Sequence, residues 1–290
     1  MTTVAGKRDA VWWVYRWRLL LVAGLGIVSA VVLGCLPPLP QAQEYHHFAD
    51  DRTCLGVPNG LNVLSNLPFL IVGVWGLWSV SRKRGGSSVD CIERWPWLSF
   101  FLGVSLTAFG SAYYHLHPDN DRLMWDRLPM SVAFMSLVAV VLAERIDIKV
   151  GTCLLLPLIA AGVASVLAWH WSEQQGRGDL RPYYFVQFYP MLALPLLLLW
   201  LPPRYTKTSD FLLALGWYVV AKLCEHPGDA PIYQLGHIVS GHTLKHVAAA
   251  AGAYWILRAI HSRRRGVQDQ SEKEILRGFG AQTKSSYDRG

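Results

Sequence analysis

Five residues stand out as able to act together chemically, because they are polar or ionisable groups placed inside otherwise apolar runs: Ser111, His115, Asp126, His242 and His246. Such groups are costly within membrane-length segments and are usually there for function. His242 and His246, in SGHTLKHVAAAAGAYW, are four apart, so on a helix both rings leave one face at a spacing that can grip a single metal ion. Alone, that pair is a weak signal and reads more readily as two polar residues bonding between helices. Ser111 and His115, in FGSAYYHLHPDNDRLMWDRLPM, repeat the spacing on a second segment. Asp126 follows, where the next helix can run back alongside the same face. Two imidazoles from one helix and one from another make three nitrogen ligands. Three protein ligands with one open position is the catalytic zinc arrangement, whereas structural zinc is usually closed by four. Neutral imidazole suits Zn²⁺, and no thiolate cluster competes for it. Asp126 has a second reading, as a helix cap or an ion-pair partner of Arg127.

A further polar group lies in FADDRTCLGVPNGLNVLSNLPF. Asp50, Asp51, Asn59 and Asn62 offer hard oxygen ligands of the kind Ca²⁺ takes. The competing reading is capping, favoured at Asn59 because Pro58 and an apolar run adjoin it. Asn66, deeper in the run, is expected to bond a neighbouring helix. Glu225 and Asp229 are expected at the mouth of the site. Lys245, between the two histidines, is expected to reach a carboxylate or the polar end of a lipid. Of the five Cys, none forms a CxxC. Cys54 and Cys224 fall on one side, where a disulfide is conceivable.

These side chains need a scaffold, and the composition says which. The chain is 52% hydrophobic and 16% charged, against about 25% charged in an average soluble domain. Eight segments approach the roughly 20 apolar residues of a transmembrane helix: about 17–36, 60–80, 95–116, 127–144, 148–169, 183–201, 211–225 and 231–260. The first follows basic residues like a signal peptide, but it lacks a small-residue cleavage site and reads as a retained helix. The net charge of +7 is spread over short Lys/Arg clusters at alternate loops, including Arg82–Arg84, Arg145 with Lys149, Arg204 with Lys207, and Arg263–Arg265. That alternation fits eight spans with both termini cytoplasmic, and it points away from a nucleic-acid groove. The expected organisation is a cytoplasmic tail over 1–16, one all-α transmembrane bundle over 17–260, and a polar, disordered cytoplasmic tail over 261–290. The compact loops suit a bacterial inner membrane.

With these positions in hand, the sequence resembles the alkaline ceramidase family, within a superfamily of membrane hydrolases that includes adiponectin-receptor-like proteins. The resemblance rests on Ser111, His115, Asp126, His242 and His246 in matching order and local spacing, with the NVLSN stretch Asn62–Asn66. It covers about Phe48 to Ile260. It implies a seven-helix core, so the segment at 17–36 is an added N-terminal helix. It also implies zinc-dependent hydrolysis of ceramide to sphingoid base and fatty acid, with His115, His242 and His246 as zinc ligands. Asp126 and Ser111 then resemble the partners of the water and the reacting carbonyl. Eukaryotic members carry an acidic calcium site before the first core helix; here Asn59 stands where an acidic ligand is expected, and Asp50 and Asp51 are the available substitutes. Two other readings compete: a non-catalytic membrane receptor with a structural zinc, and a membrane haem protein using histidines as axial ligands.

Overall fold

The structure, a computed structural model, describes residues 4–82 and 92–264, with side chains from Arg16 onward. The expected basic residues Lys83, Arg84 and Arg265, and nearly all of the 261–290 tail, lie outside the described residues. The helices are α1 (Val4–Cys35), α2 (Gly60–Leu64), α3 (Leu67–Ser81), α4 (Arg94–Leu116), α5 (Asn120–Arg145), α6 (Ile148–Gln174), α7 (Arg181–Trp200), α8 (Thr208–Glu225), α9 (Asp229–Gln234) and α10 (Gly241–Ser262), with a single 3₁₀ turn at Gln43–His46. No strand occurs among the described residues. The fold is the expected all-α bundle.

Local chemistry explains where the elements start and break. Asp119, Asp147 and Ser240 cap α5, α6 and α10 by accepting the backbone N–H of Arg122, Lys149 and Thr243. The expected single helix at 60–80 is interrupted between α2 and α3. Pro68 has no N–H to give the carbonyl of Leu64, and the Asn66 amide turns back to the carbonyls of Asn62 (2.9 Å) and Val63 (3.3 Å). The expected segment 231–260 is likewise two helices. His237 adopts a left-handed φ of 52°, and the Ser240 cap then restarts the chain as α10. Two boundaries also differ from expectation. Helix α1 begins at Val4 rather than 17, since 4–16 contains no proline to stop it. Helix α5 begins at Asn120, seven residues before the expected start, because Asp119 supplies the cap.

Five segments are long and apolar enough to cross a membrane: Arg16–Cys35, Gly60–Ser81, Asn120–Arg145, Ile148–Gln174 and Arg181–Trp200. Helices α4, α8 and α10 occupy the other three expected positions at 18–23 residues, diluted by the polar groups they carry. Large apolar side chains face outward, Leu156 and Leu199 among them, as a lipid-facing surface requires. The chain is a multi-pass membrane protein.

Neighbouring helices close a ring, α3–α4–α5–α7–α8–α10–α3, with α6 packed outside against α5 and α7. Helix α1 is peripheral. It packs on α7, where Tyr189 donates its hydroxyl to the carbonyl of Val22 (2.6 Å). The seven-helix core with one added N-terminal helix is therefore as expected. The ring encloses a cavity of about 1030 Å³.

Candidate metal centre

His115, His242 and His246 meet at one end of that cavity. All three are buried, and their ring centroids form a near-equilateral triangle with sides of 4.9, 4.9 and 5.1 Å. Each offers a ring nitrogen within 4.8 Å of the others, and they are the one such His/Cys/Asp/Glu group among the described residues. The convergence has local causes. Ser240 starts α10 just before His242, and the Asp229 carboxylate accepts the His242 backbone N–H (2.8 Å). Gly241 lets α10 press on the end of α8, since a Cβ there would fall 2.3 Å from the Cys224 carbonyl oxygen. Phe48 closes over the group, with its ring centroid 4.7 Å from His115 and 4.5 Å from His242.

The donor set fits a metal ion. Three imidazoles sharing a tetrahedral ion at about 2.0–2.1 Å would hold their nitrogens about 3.3–3.4 Å apart, and His115 Nε2 lies 3.2 Å from His246 Nε2. No macrocycle can lie between rings in such contact. Ligating histidines usually engage their second nitrogen with an outer partner. His246 does so, with Nδ1 2.7 Å from Ser65 Oγ; His115 Nδ1 has no partner among the described residues. The third nitrogen is contested: Lys245 Nζ sits 3.1 Å from His242 Nε2 and 2.7 Å from Glu225 Oε1. A metal at His242 Nε2 would displace that ammonium toward Glu225.

Ser111 and Asp126 join the site across the α4–α5 contact. Gly110 makes this possible, since a Cβ there would lie 2.1 Å from the Trp125 carbonyl oxygen. The Ser111 hydroxyl lies near enough to the Asp126 carboxylate to interact with it. Ser111, Asp126, His242 and His246 all line the cavity. The rival roles of Asp126 are absent: the cap is Asp119, and no ion pair joins Asp126 to Arg127 among the described residues.

The residues considered for calcium have other partners. Both Asp50 carboxylate oxygens bond Arg52 (2.7 and 2.8 Å). That guanidinium holds the Asp50 carboxyl below the usual carboxylate range. Asn62 Oδ1 accepts from Thr243 Oγ1 (2.7 Å), and Asn62 Nδ2 donates to the Asp50 carbonyl (3.1 Å). Asp51 is exposed. Asn59 stands at the N-cap position of α2 but its side chain makes no cap bond there, because its backbone is left-handed at φ 48°. Its amide instead donates to the carbonyl of His115 (2.9 Å), satisfying the C-terminal end of α4. Asn66 stays on its own segment rather than reaching a neighbouring helix. Cys54 and Cys224 are free thiols, not a disulfide.

Glu225 and Asp229 line the cavity as expected, and Lys245 does reach a carboxylate. Sequence reasoning missed Ser65. Its serine type carries no signal by itself, and its role depends on the break between α2 and α3. No protein-family model matches the chain, and no curated protein matches it.

Proposed function

We propose that this chain is a zinc-dependent intramembrane hydrolase that cleaves the amide bond of ceramide-like lipids, in the manner the resemblance to alkaline ceramidases implies. The observation that carries the reading is the triangle of buried imidazoles opening, beside Ser111 and Asp126, onto an apolar cavity of about 1030 Å³. Zinc bound there would supply Lewis-acid polarisation of a water and of the scissile carbonyl. The Asp126 carboxylate would take the proton from the attacking water and return it to the departing amine nitrogen. Ser111 Oγ would donate to the oxygen that gains charge as the carbonyl is attacked; loss of one such donor typically costs about 10²–10³ in rate. Phe100, Val104, Leu194 and Ile256 line the cavity and would hold an acyl chain while excluding water. Ser65 would fix the tautomer and orientation of His246. The reading places the protein in a bacterial inner membrane with both termini cytoplasmic and the metal near the outer leaflet. The reading rests on zinc, since the Asp50 and Asn62 side-chain oxygens considered for calcium are bonded to Arg52 and Thr243.

The test is metal content together with hydrolysis of a fluorescent ceramide by the purified protein. About one equivalent of zinc is expected, with activity lost in His242→Ala and on chelation, and with Asp126→Asn keeping zinc but losing turnover. Equal inactivity of wild type and His242→Ala across acyl lengths would remove the ceramidase reading. Full activity in Asp126→Asn would remove Asp126 from the proton transfer, and zinc bound without hydrolysis in the wild type would assign the metal a structural role, as in a receptor.

A further inference from the structure

Arg127 is a buried cation that the proposed reaction does not use. It is 5% exposed and projects from α5 into a box of aromatic rings. Its guanidinium carbon lies 4.2 Å from the Trp169 ring centroid and 4.8 Å from that of Tyr183. Nη2 donates to Gln41 Oε1 (2.6 Å), while Nη1 has no partner among the described residues. No carboxylate lies within ion-pair distance of it among the described residues. Aromatic faces attract the flat faces of a guanidinium, but its N–H edge still needs acceptors. The Asp126 carboxylate acts on it through space only, and a buried charge without a direct ion pair is expensive to maintain inside a membrane bundle.

The cavity indicates where that partner would come from. Arg127, Gln41 and Tyr183 line the same cavity as Ser111, Asp126 and the two histidines of α10. The other lysine and arginine side chains lining it, Lys222 and Lys245, are both bonded to Glu225 (2.6 and 2.7 Å). Arg127 is thus the lining cation left with a neutral acceptor only. A guanidinium edge matches a carboxylate or a phosphate, each of which can accept two parallel N–H bonds.

We infer that Arg127 and Gln41 form a subsite for an anionic group on the lipid that enters the cavity, so that the amide lipid taken by this site carries a carboxylate or phosphate head. The substrate half of this statement rests on the hydrolase reading; the binding half does not. The structural alternative is that Arg127 only ties the segment around Gln41 to α5, in which case head-group charge would not matter.

The experiment compares three probes with one acyl chain: N-lauroylglycine, N-lauroylethanolamine phosphate and neutral N-lauroylethanolamine. Binding to the full-length protein in detergent is measured by calorimetry, then repeated after chelation so that carboxylate–metal contact cannot contribute. At least one anionic probe should bind tenfold or more tighter than the neutral one under both conditions. Arg127→Gln should erase that preference with little change for the neutral probe. Equal binding of all three probes, or a preference that survives Arg127→Gln, would overturn the subsite. If Arg127→Gln does not fold, Arg127→Lys decides: it keeps the charge but loses the fork, so the preference should fall several-fold, and an unchanged preference overturns the subsite. Preference without hydrolysis of any probe or of the fluorescent ceramide would sink the hydrolase reading and leave the subsite standing; hydrolysis without preference would do the reverse.

Discussion

Two groups of buried ionisable side chains occupy opposite ends of the bundle, and they are assembled on opposite principles. At the end formed by the N-termini of α4 and α8 and the C-termini of α5 and α10, the Arg263 guanidinium lies between the carboxylates of Glu144 and Glu93. Tyr205 donates its hydroxyl to Glu93 (2.8 Å), and Arg145 bonds Thr208 Oγ1 (2.6 Å). None of these residues lines the cavity. At the other end, three imidazoles turn ring nitrogens toward one another, one of their nitrogens has no partner among the described residues, and a lysine leans on another. Burial alone therefore does not mark a functional group. What distinguishes the two ends is whether the charged groups pair with one another or the ring nitrogens converge on a space.

That contrast can be broken first at the ion cluster. Arg263→Ala leaves two carboxylates buried without their cation and should destabilise the protein by about 3–5 kcal/mol. Thermal unfolding in detergent would show it, and the surviving folded fraction should still hold metal. Metal loss without a change in unfolding would erase the division of labour between the ends. The next largest effect is at the other end. Ser65→Ala removes the partner of His246 Nδ1 and should weaken zinc binding by about 10–100-fold, read by competition with a chelating dye, with little change in thermal stability. The smallest effect lies outside both groups, at the loop ion pair of Asp50 with Arg52. Its carboxyl is held below the usual range by the bonded guanidinium. The pair therefore contributes stability above the unfolded value of about 3.9, and loses it as pH falls through the lower folded value. The melting temperature should drop slightly on acidification below about pH 4, and less so in Asp50→Asn.

Much of the metal end was legible in the sequence because a histidine or aspartate within an apolar run is conspicuous. Ser111, His115, Asp126, His242 and His246 each contrasted with their neighbours, and helical spacing grouped them into two faces. The ion cluster was not visible in the same way. Arg145 and Arg263 lie at segment ends, where basic residues are ordinary topology signals, and nothing local shows that Arg263 takes its counter-charges from Glu144 and from Glu93, some 170 residues away along the chain. The interruptions at Ser65–Asn66 and at Leu235–Ser240 were hidden because hydropathy averages over the gap. Pro68 and Ser240 were the signals that, weighed as stop and start marks, would have revealed them. Asn59 illustrates a third limit. Its position as a cap was readable, but the helix whose end it satisfies is set by tertiary contact alone.

Asp229 has a consequence beyond holding one backbone amide. One of its oxygens receives the N–H of His242 and the other that of Ala49 (2.9 Å), so a single carboxylate rivets the segment before the first core helix to the start of the ligand-bearing one. Phe48, next to Ala49, rests on two of the three imidazoles. Mechanically, the segment and the imidazoles form one linkage: traffic that lifts the cover must also tug on the hinge of His242, and a tightly gripped histidine triad would in turn hold the cover down.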